Sequence, residues 1–296
     1  MNRIDTSTAV AVMPAMTALG TPGFFTAGNA AAGDPATVVS ADWFNAVQEE
    51  LLAVITKGGG LTPDKATLTQ LYTAIQTMIT GGAQLASTPF VPVAATTVLA
   101  VPAGYSRMEI KAVGAGGGGM GCQAASASTD TFSGGGGAAG GFVWGIYPVT
   151  SGGTVAITVG AGGPGGVGAA SGTAGGNTTI VSGDTTLVSI PGAPGGLRAD
   201  ATNCAGGIGV APSGASGTII AAAGNDGSDG QAGSYMMTGN GGAGPWGGAG
   251  RARSESGAPG SAPGAGGGGA YDTGLKNTAF TGGAGYQALV LYRFLP

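Results

Sequence analysis

Glycine is distributed along this chain in a way that leaves few folds open. Of its 65 glycines, 10 precede Lys111 and 55 follow it. Glycine adds no apolar area and loses more backbone entropy on ordering than any other residue. A segment built mostly from it is therefore either disordered or uses the missing side chain as its packing surface. Charged residues make up 8% and aromatic residues 6% of the sequence, against about 25% charged in an ordinary soluble domain. Neither an ordinary surface nor an ordinary core accounts for the second half. Short β-branched and apolar runs punctuate the glycine tracts, which a flexible linker has no reason to carry. The second half reads as folded.

Several functions are set aside by what the sequence lacks. The net charge is −4, and the ten basic residues are scattered singly, so no stripe exists to neutralise a row of phosphates and no nucleic-acid partner is expected. Asp5 and Pro14 interrupt the mildly apolar start, which is not the pattern of a secretory leader. No run approaches the ~20 apolar residues of a membrane span, so no membrane insertion is expected. There is no histidine, which removes the commonest general base and metal ligand. Serine and threonine are abundant, but none sits in a nucleophile elbow, and the glycine runs lack the Gly-Lys-Ser/Thr ending of a phosphate loop. The sequence reads as a non-enzyme with no cofactor and no metal site. Cys122 and Cys204 read as small free thiols, with a disulfide as the alternative. Asp226 and Asp229 read as solvated loop carboxylates, with calcium ligation as the alternative.

Along the chain, residues 1–39 are extended and turn-rich, since Pro14, Pro22-Gly23 and Gly33-Asp34-Pro35 break any periodicity. Such an arm needs a partner to order it. Ser40 offers an N-cap and Asp42 an acidic first turn; Phe44, Val47, Leu51 and Ile55 then follow at helical spacing until Gly58, which predicts a helix over 41–57. Thr67 and Gln70 have capping-box spacing, and Leu68, Leu71, Tyr72, Ile75 and Ile79 recur on one face before Gly81-Gly82. Two helices over 40–82 cannot bury enough apolar surface to stand alone, so they are expected to self-associate. Val47, Leu51, Leu71 and Ile75 are the expected oligomerisation residues. Residues 83–95, with Pro89 and Pro92, read as a linker.

Residues 96–296 change character. Segments 96–101, 108–113, 142–149, 154–159, 178–181, 186–190, 218–222 and 288–294 are short and rich in Val, Ile, Thr and aromatics. Eight such strands without a helix predict a β-sandwich, so the chain is expected to be mainly β. Between them lie glycine runs and a long insertion, 223–285. In it glycine recurs every third residue at 224, 227, 230 and 233, and again at 241, 244, 247 and 250. Three is the period of polyproline II, and a bundle of such helices would use glycine as its packing surface, with backbone groups pairing between neighbours.

Two groups of residues carry a resemblance. The N-terminal words MNRIDTSTAVAVMPAMTALGTPGFFTAGN, DPATVVSADWFNAVQEELLAVI and GLTPDKATLTQLYTAI resemble the N-terminal region of bacteriophage and prophage tail-fibre proteins, with the Asp-Trp-hydrophobic-Asn-Ala-Val-Gln-Glu-Glu-Leu signature at 42–51. The words VPAGYSRMEIKAVGAGGGG, GGFVWGIYPVTSGGTVAITVGAGG and GGAGYQALVLYRF, at Val101, Gly140 and Gly282, resemble the glycine-rich domain at the ends of phage fibres. The resemblance implies a jelly-roll-like β-sandwich with polyglycine II helix insertions, assembled as a homotrimeric fibre in the host cytoplasm and located in the tail of the virion. Its partners would be itself, baseplate or tail-tip proteins through the arm 1–39, and a bacterial surface receptor: a polysaccharide, a pilus or an outer-membrane protein. The fibre of a phage-derived bacteriocin particle is the runner-up, and a polysaccharide-degrading tail spike is the enzymatic alternative.

In a glycine lattice the bulky residues of 223–285 must emerge at turns or outer faces. Tyr235, Met236, Met237, Trp246, Arg251, Arg253, Tyr271 and Phe280 are therefore the expected receptor-binding residues, being types that concentrate contact area or forked hydrogen bonding. Pairing of Arg251 or Arg253 with Glu255 is the simpler role for the arginines, and covering the lattice edge is the simpler role for Trp246.

Overall fold

In the computed structural model the chain is described except at residues 1, 19, 88, 127–129, 131–132, 200–202 and 232–238, and it divides into two compact units, Met1–Thr88 and Pro89–Pro296. In the first unit, α1 (Ala41–Ala53) begins where Ser40 Oγ accepts from the Trp43 amide at 3.2 Å and ends in a π turn, Val54–Gly58. Helix α2 (Gln70–Ser87) follows. It runs through Gly81-Gly82 where the sequence suggests a stop. Glycine costs a helix only ~1 kcal/mol relative to alanine, whereas Pro89 restricts the residue before it, and the helix ends just short of it. The segment read as linker over 83–95 is thus partly helix, and partly strand at Val91–Val93.

Helix α2 packs on the π turn, where Ala74 and Ile55 are buried, as is Leu52 of α1, and Gln70 reaches back across the intervening turn to the Thr62 carbonyl at 2.7 Å. A Cβ on Gly59 would lie 2.5 Å from Ala74 Cβ, so glycine sets how closely α2 approaches. The four expected oligomerisation residues are not this contact: within one chain Val47 and Ile75 are exposed, and Leu51 and Leu71 half-buried. The arm finds a partner in α1. Arg3 pairs with Glu49, the Thr17 amide and hydroxyl donate to Asp42 at 3.0 and 2.6 Å, and the Phe25 ring lies edge-on to Trp43.

The second unit is mainly β. Its strands are β1 (Val91–Val93), β2 (Thr97–Ala100), β3 (Arg107–Val113), β4 (Phe142–Pro148), β5 (Thr154–Thr158), β6 (Thr178–Ser182), β7 (Thr185–Ile190), β8 (Leu197–Arg198), β9 (Asn203–Ala205), β10 (Ser213–Gly214), β11 (Thr218–Ala222), β12 (Gly230–Gln231), β13 (Arg253–Ser254), β14 (Ala270–Tyr271) and β15 (Leu289–Leu295). Two five-stranded antiparallel sheets form, in the orders β1-β15-β3-β4-β11 and β10-β7-β6-β5-β2. Alternate residues of both sheets, among them Met108, Ile110, Val143, Tyr147, Ile157, Ile180, Val188 and Val290, form one buried core. All eight predicted strand segments are present. β1 is the strand the sequence hid, because Pro92 reads as a breaker; at a sheet edge proline is tolerated.

The glycine insertions all leave one end of these sheets, the end marked by Val113, Phe142, Thr158, Thr178, Ile190, Ala222 and Leu289. Residues 116–121 show how they are held. Gly116 and Gly119 donate to the carbonyls of Tyr286 and Gly283, Gly117 and Met120 to Ala138 and Gly135, Gly118 and Gly121 to Thr173 and Ala170. Every third amide returns to the same neighbour, three residues further along it. The carbonyls of the same stretch accept from three more segments: Gly116 and Gly119 from Gly163 and Gly166, Gly117 and Met120 from Gly267 and Ala270, Ala115 and Gly118 from Ala193 and Gly196. Six neighbours surround one extended backbone through bonds of 2.8–3.1 Å.

This arrangement has no room for side chains. A Cβ on Gly224, Gly227 or Gly230 would lie 1.9, 2.2 or 2.0 Å from the carbonyl oxygens of Ala139, Gly136 and Ser133, a register that advances by three on both sides. The second periodic run breaks at Gly247, whose φ of +79° places it in a tight turn with Gly244. Where a segment lacks a backbone neighbour, a polar side chain replaces it. Asp226 and Asp229 accept from the amides of Gly209 and Gly206 at 2.7 and 2.8 Å, and Asn240 from Ala252 at 2.9 Å. Both aspartates thus face backbone, and among the described residues no three acidic or cysteine side chains gather as a metal group would require.

Gly137→Ala, whose Cβ would sit 2.2 Å from the Gly117 carbonyl oxygen, and Gly227→Ala should each destabilise the second unit by about 1–3 kcal/mol. Gly274→Ala meets the flexible Lys276 side chain at 3.3 Å and Asp272 Oδ1 at an ordinary 3.6 Å, and should stay within ~0.5 kcal/mol of the parent. Denaturant unfolding of the three variants measures the contrast, and equal midpoints would mean that the segments are not packed as described.

Candidate functional site

Out-and-back connection of the glycine segments brings their far turns together at the end remote from the sheets. Bridges between Cys122 and Phe280, Ser133 and Tyr271, Val167 and Thr281, and Ser256 and Thr281 join the segments there. Gly230 and Gly239, which flank 232–238, both abut the backbone at 133–134.

The loop 272–279 is the best-defined part of this surface. Asp272 is buried, and its carboxylate accepts from the amides of Gly274 and Lys276 at 3.0 and 2.8 Å, which folds the backbone into a tight turn. Lys276 pairs with Glu255 on the next loop. The Asn277 amide donates to the Ala124 carbonyl at 3.0 Å, and Gln123 Nε2 donates to Asn277 Oδ1 at 3.2 Å, which ties in a third loop. Arg198 Nη1 donates to the Ala169 carbonyl at 3.2 Å, joining two more. Glu255, Leu275 and Asn277 have φ of +68°, +47° and +52°, and they are the non-glycine residues with positive φ among those described. This backbone is uncommon outside glycine and costs of order 1–3 kcal/mol per residue. All three fall in these end loops. Val167, Leu197 and Leu275 are exposed there, so the loops present apolar as well as charged groups.

Beneath the loops lies a small apolar cluster of Cys122, Ala270 and Phe280. Burial pushes the Cys122 thiol up to about 12, with the nearby Asp272 carboxylate adding to the shift. Cys204 Sγ donates to the Ser133 carbonyl oxygen. Both cysteines are buried.

The residues expected to bind are placed unevenly. Tyr235, Met236 and Met237 lie outside the described residues. Arg253 is exposed and Tyr271 half-buried in the β13–β14 pair at the far end, where Arg253 lies beside Ala270 and Tyr271 beside Ser254, and Arg251 is exposed on the same segment. Trp246 is exposed at the opposite end, in the turn between Gly244 and Gly247, where its ring stands edge-on to Phe142 at 6.3 Å. That is the edge-covering role. Phe280 does not emerge at all: it is 9% exposed and packs with Cys122 and Ala270 in the cluster under the loops, where its backbone bridges to Cys122. Glu255 pairs with Lys276, not with the arginines. Leu275, Lys276 and Val167 are end-loop residues that a reading limited to aromatics, methionines and arginines passes over. Val167 is marked in the sequence by interrupting a glycine run, and Leu275 by following Gly274.

The glycine-rich domain family matches over residues 92–294, a span that takes in both sheets from Pro92 and the whole glycine lattice. No curated protein matches the chain.

The cysteine geometry makes a direct prediction. A thiol reagent at neutral pH should find neither cysteine in the native protein and both after unfolding. The folded Cys122 value lies above its ordinary value near 9, so the stabilisation of the protonated thiol is complete below about pH 9 and is lost as the pH rises toward 12. Denaturation midpoints followed across that window should fall, and Cys122→Ala should flatten the fall.

Proposed function

The chain belongs to the glycine-rich domain family, and on that premise we propose that it is the receptor-binding tail fibre of a tailed phage, with the glycine lattice holding out loops to the bacterial surface. In this reading the glycine segments are polyglycine II helices. Three residues per turn rotate successive amides by a third of a turn, which accounts for the threefold rota of hydrogen-bond partners around 116–121. The two sheets form a jelly-roll-like base, three copies assemble as a homotrimer, and the arm docks on the baseplate or tail tip.

The observation that carries this reading is the concentration of variety at one end. The lattice interior is mostly glycine and alanine and offers little to distinguish one ligand from another. The far loops instead hold charged, polar and exposed apolar residues on backbone forced to positive φ. Strained backbone persists where the surrounding structure overdetermines it, and functional sites are where it clusters. A rigid scaffold presenting diverse loops is the ordinary design of a recognition surface. Among the end-loop residues, Leu275, Lys276, Arg253 and Tyr271 are candidates for contact, together with Tyr235, Met236 and Met237. In this reading recognition is binding, and the carboxylates of Asp272 and Glu255 serve to hold backbone and lysine in the end loops.

Purified protein added to host cells should compete with particle adsorption. Leu275→Ser with Lys276→Ser, or alanine at Tyr235, Met236 and Met237 together, should weaken that competition by about tenfold or more while leaving the melting temperature unchanged. Unaltered competition by both variants would remove these loops from the receptor contact, and failure of the parent to bind any host would remove the function.

A further inference from the structure

Helix α2 contains no charged residue in its 18 positions, QLYTAIQTMITGGAQLAS. One side, with Gln70 and Ala74, is buried against the π turn after α1, and a Cβ on Gly58 would meet Met78 Sδ at 2.5 Å. The opposite side is open. Leu68, in the turn just before the helix, is 93% exposed, and Tyr72, Ile75 and Ile79 after it are 65%, 40% and 59% exposed. Their spacing is four, three and four residues, the alternation of d and a positions in a heptad repeat. A surface helix normally turns a charged or strongly polar face to water, and this one turns its large aliphatic residues there.

We propose that this stripe is a contact between copies of the chain, with α2 packed in parallel against the α2 of its neighbours. The inference rests on the fibre reading for the existence of an oligomer, and it names the surface that makes it. Three observations favour a copy of this chain over an unrelated partner. A d-a-d-a stripe is self-complementary, because each side chain inserts between residues of an identical helix in register. The flanking positions Thr69, Leu71, Gln76 and Met78 carry no charge, so nothing opposes the approach of an identical face. The interior of this unit is also small: among the described residues its buried apolar ones are Leu52, Ile55 and Ala74, and a core of that size is normally completed by oligomerisation. Isoleucine at d as well as a, at 75 and 79, favours three or four helices over two. Parallel packing sets equal residues in rings about a closed symmetry axis. Ile75 belongs to this seam, whereas Val47 and Leu51 on α1 lie outside it.

The test uses the full chain. The parent should have a mass by light scattering of about three times 27.8 kDa, and Ile75→Asp should lower it toward one copy with the unfolding transition of the second unit retained. Ile75→Cys, placed at the axis, should form disulfide-linked copies on mild oxidation, and Thr77→Cys, turned away from the stripe, should not. A monomeric parent overturns the oligomeric fibre and this contact with it. An oligomeric parent whose mass survives Ile75→Asp, with no preference for crosslinking at 75 over 77, overturns the contact alone.

Discussion

Backbone amides that hydrogen-bond between segments, across gaps too small for a Cβ, govern everything else in the second unit. An amide or carbonyl buried without a partner costs of the order of a lost hydrogen bond, and most residues in 114–121 and 134–141 are buried. A sheet satisfies such groups with neighbours on two sides. Here a central segment such as 116–121 has neighbours on three sides for its amides and three for its carbonyls, and glycine is what lets six backbones stand close enough. The composition that looked unfavourable is a consequence of that geometry. What glycine loses in apolar burial is replaced by dense backbone pairing, and the entropy it gives up on ordering is spread over a network in which every segment is fixed by several others.

The same constraint separates scaffold from surface. Few large side chains fit in the interior, Met120 among them, so polar residues appear where a neighbour is missing, as with Asp226, Asp229 and Asn240, and most bulky residues appear where the lattice ends. It ends in two places. Against the sheets, Trp246 covers Phe142. At the far end, Phe280 and Cys122 fill the space under the loops, and Glu255, Leu275 and Asn277 accept an unfavourable backbone above it. Only the second of these ends combines strain, exposure and chemical variety, which is why the proposed recognition surface is put there.

Much of this was legible from the residues. Periodicity found α1 and the two-helix region, β-branched runs found eight strands, and period-three glycine found the register that runs from Gly224 to Gly230. The misses have physical causes. β1 was hidden because Pro92 forbids one hydrogen bond, and an edge strand has one to spare. The end of α2 was placed at Gly81-Gly82 because glycine was weighed as a stop signal when it is only a modest penalty. Phe280 reads as a binding residue on the premise that anything bulky is expelled to a contact surface, whereas Trp246 does emerge, in the turn between Gly244 and Gly247. That premise holds inside a lattice and fails at its boundaries, and no local pattern in the sequence says where the boundaries fall.

Counting along the glycine segments also explains how one domain can hold unlike loops. Each segment keeps its partners because every third residue faces the same neighbour; Gly116 and Gly119 meet Tyr286 and Gly283, Gly117 and Met120 meet Ala138 and Gly135. A change of one residue within a segment would turn each later amide toward a different neighbour, much as a one-residue slip in a strand exchanges its faces. A change of length in a turn alters no such phase. Segments therefore tolerate neither side chains nor insertions, while the loops between them tolerate both, provided their ends return to the lattice three residues at a time. The division is set by backbone hydrogen bonding alone, and it leaves loop sequence free to follow whatever the exposed end has to recognise.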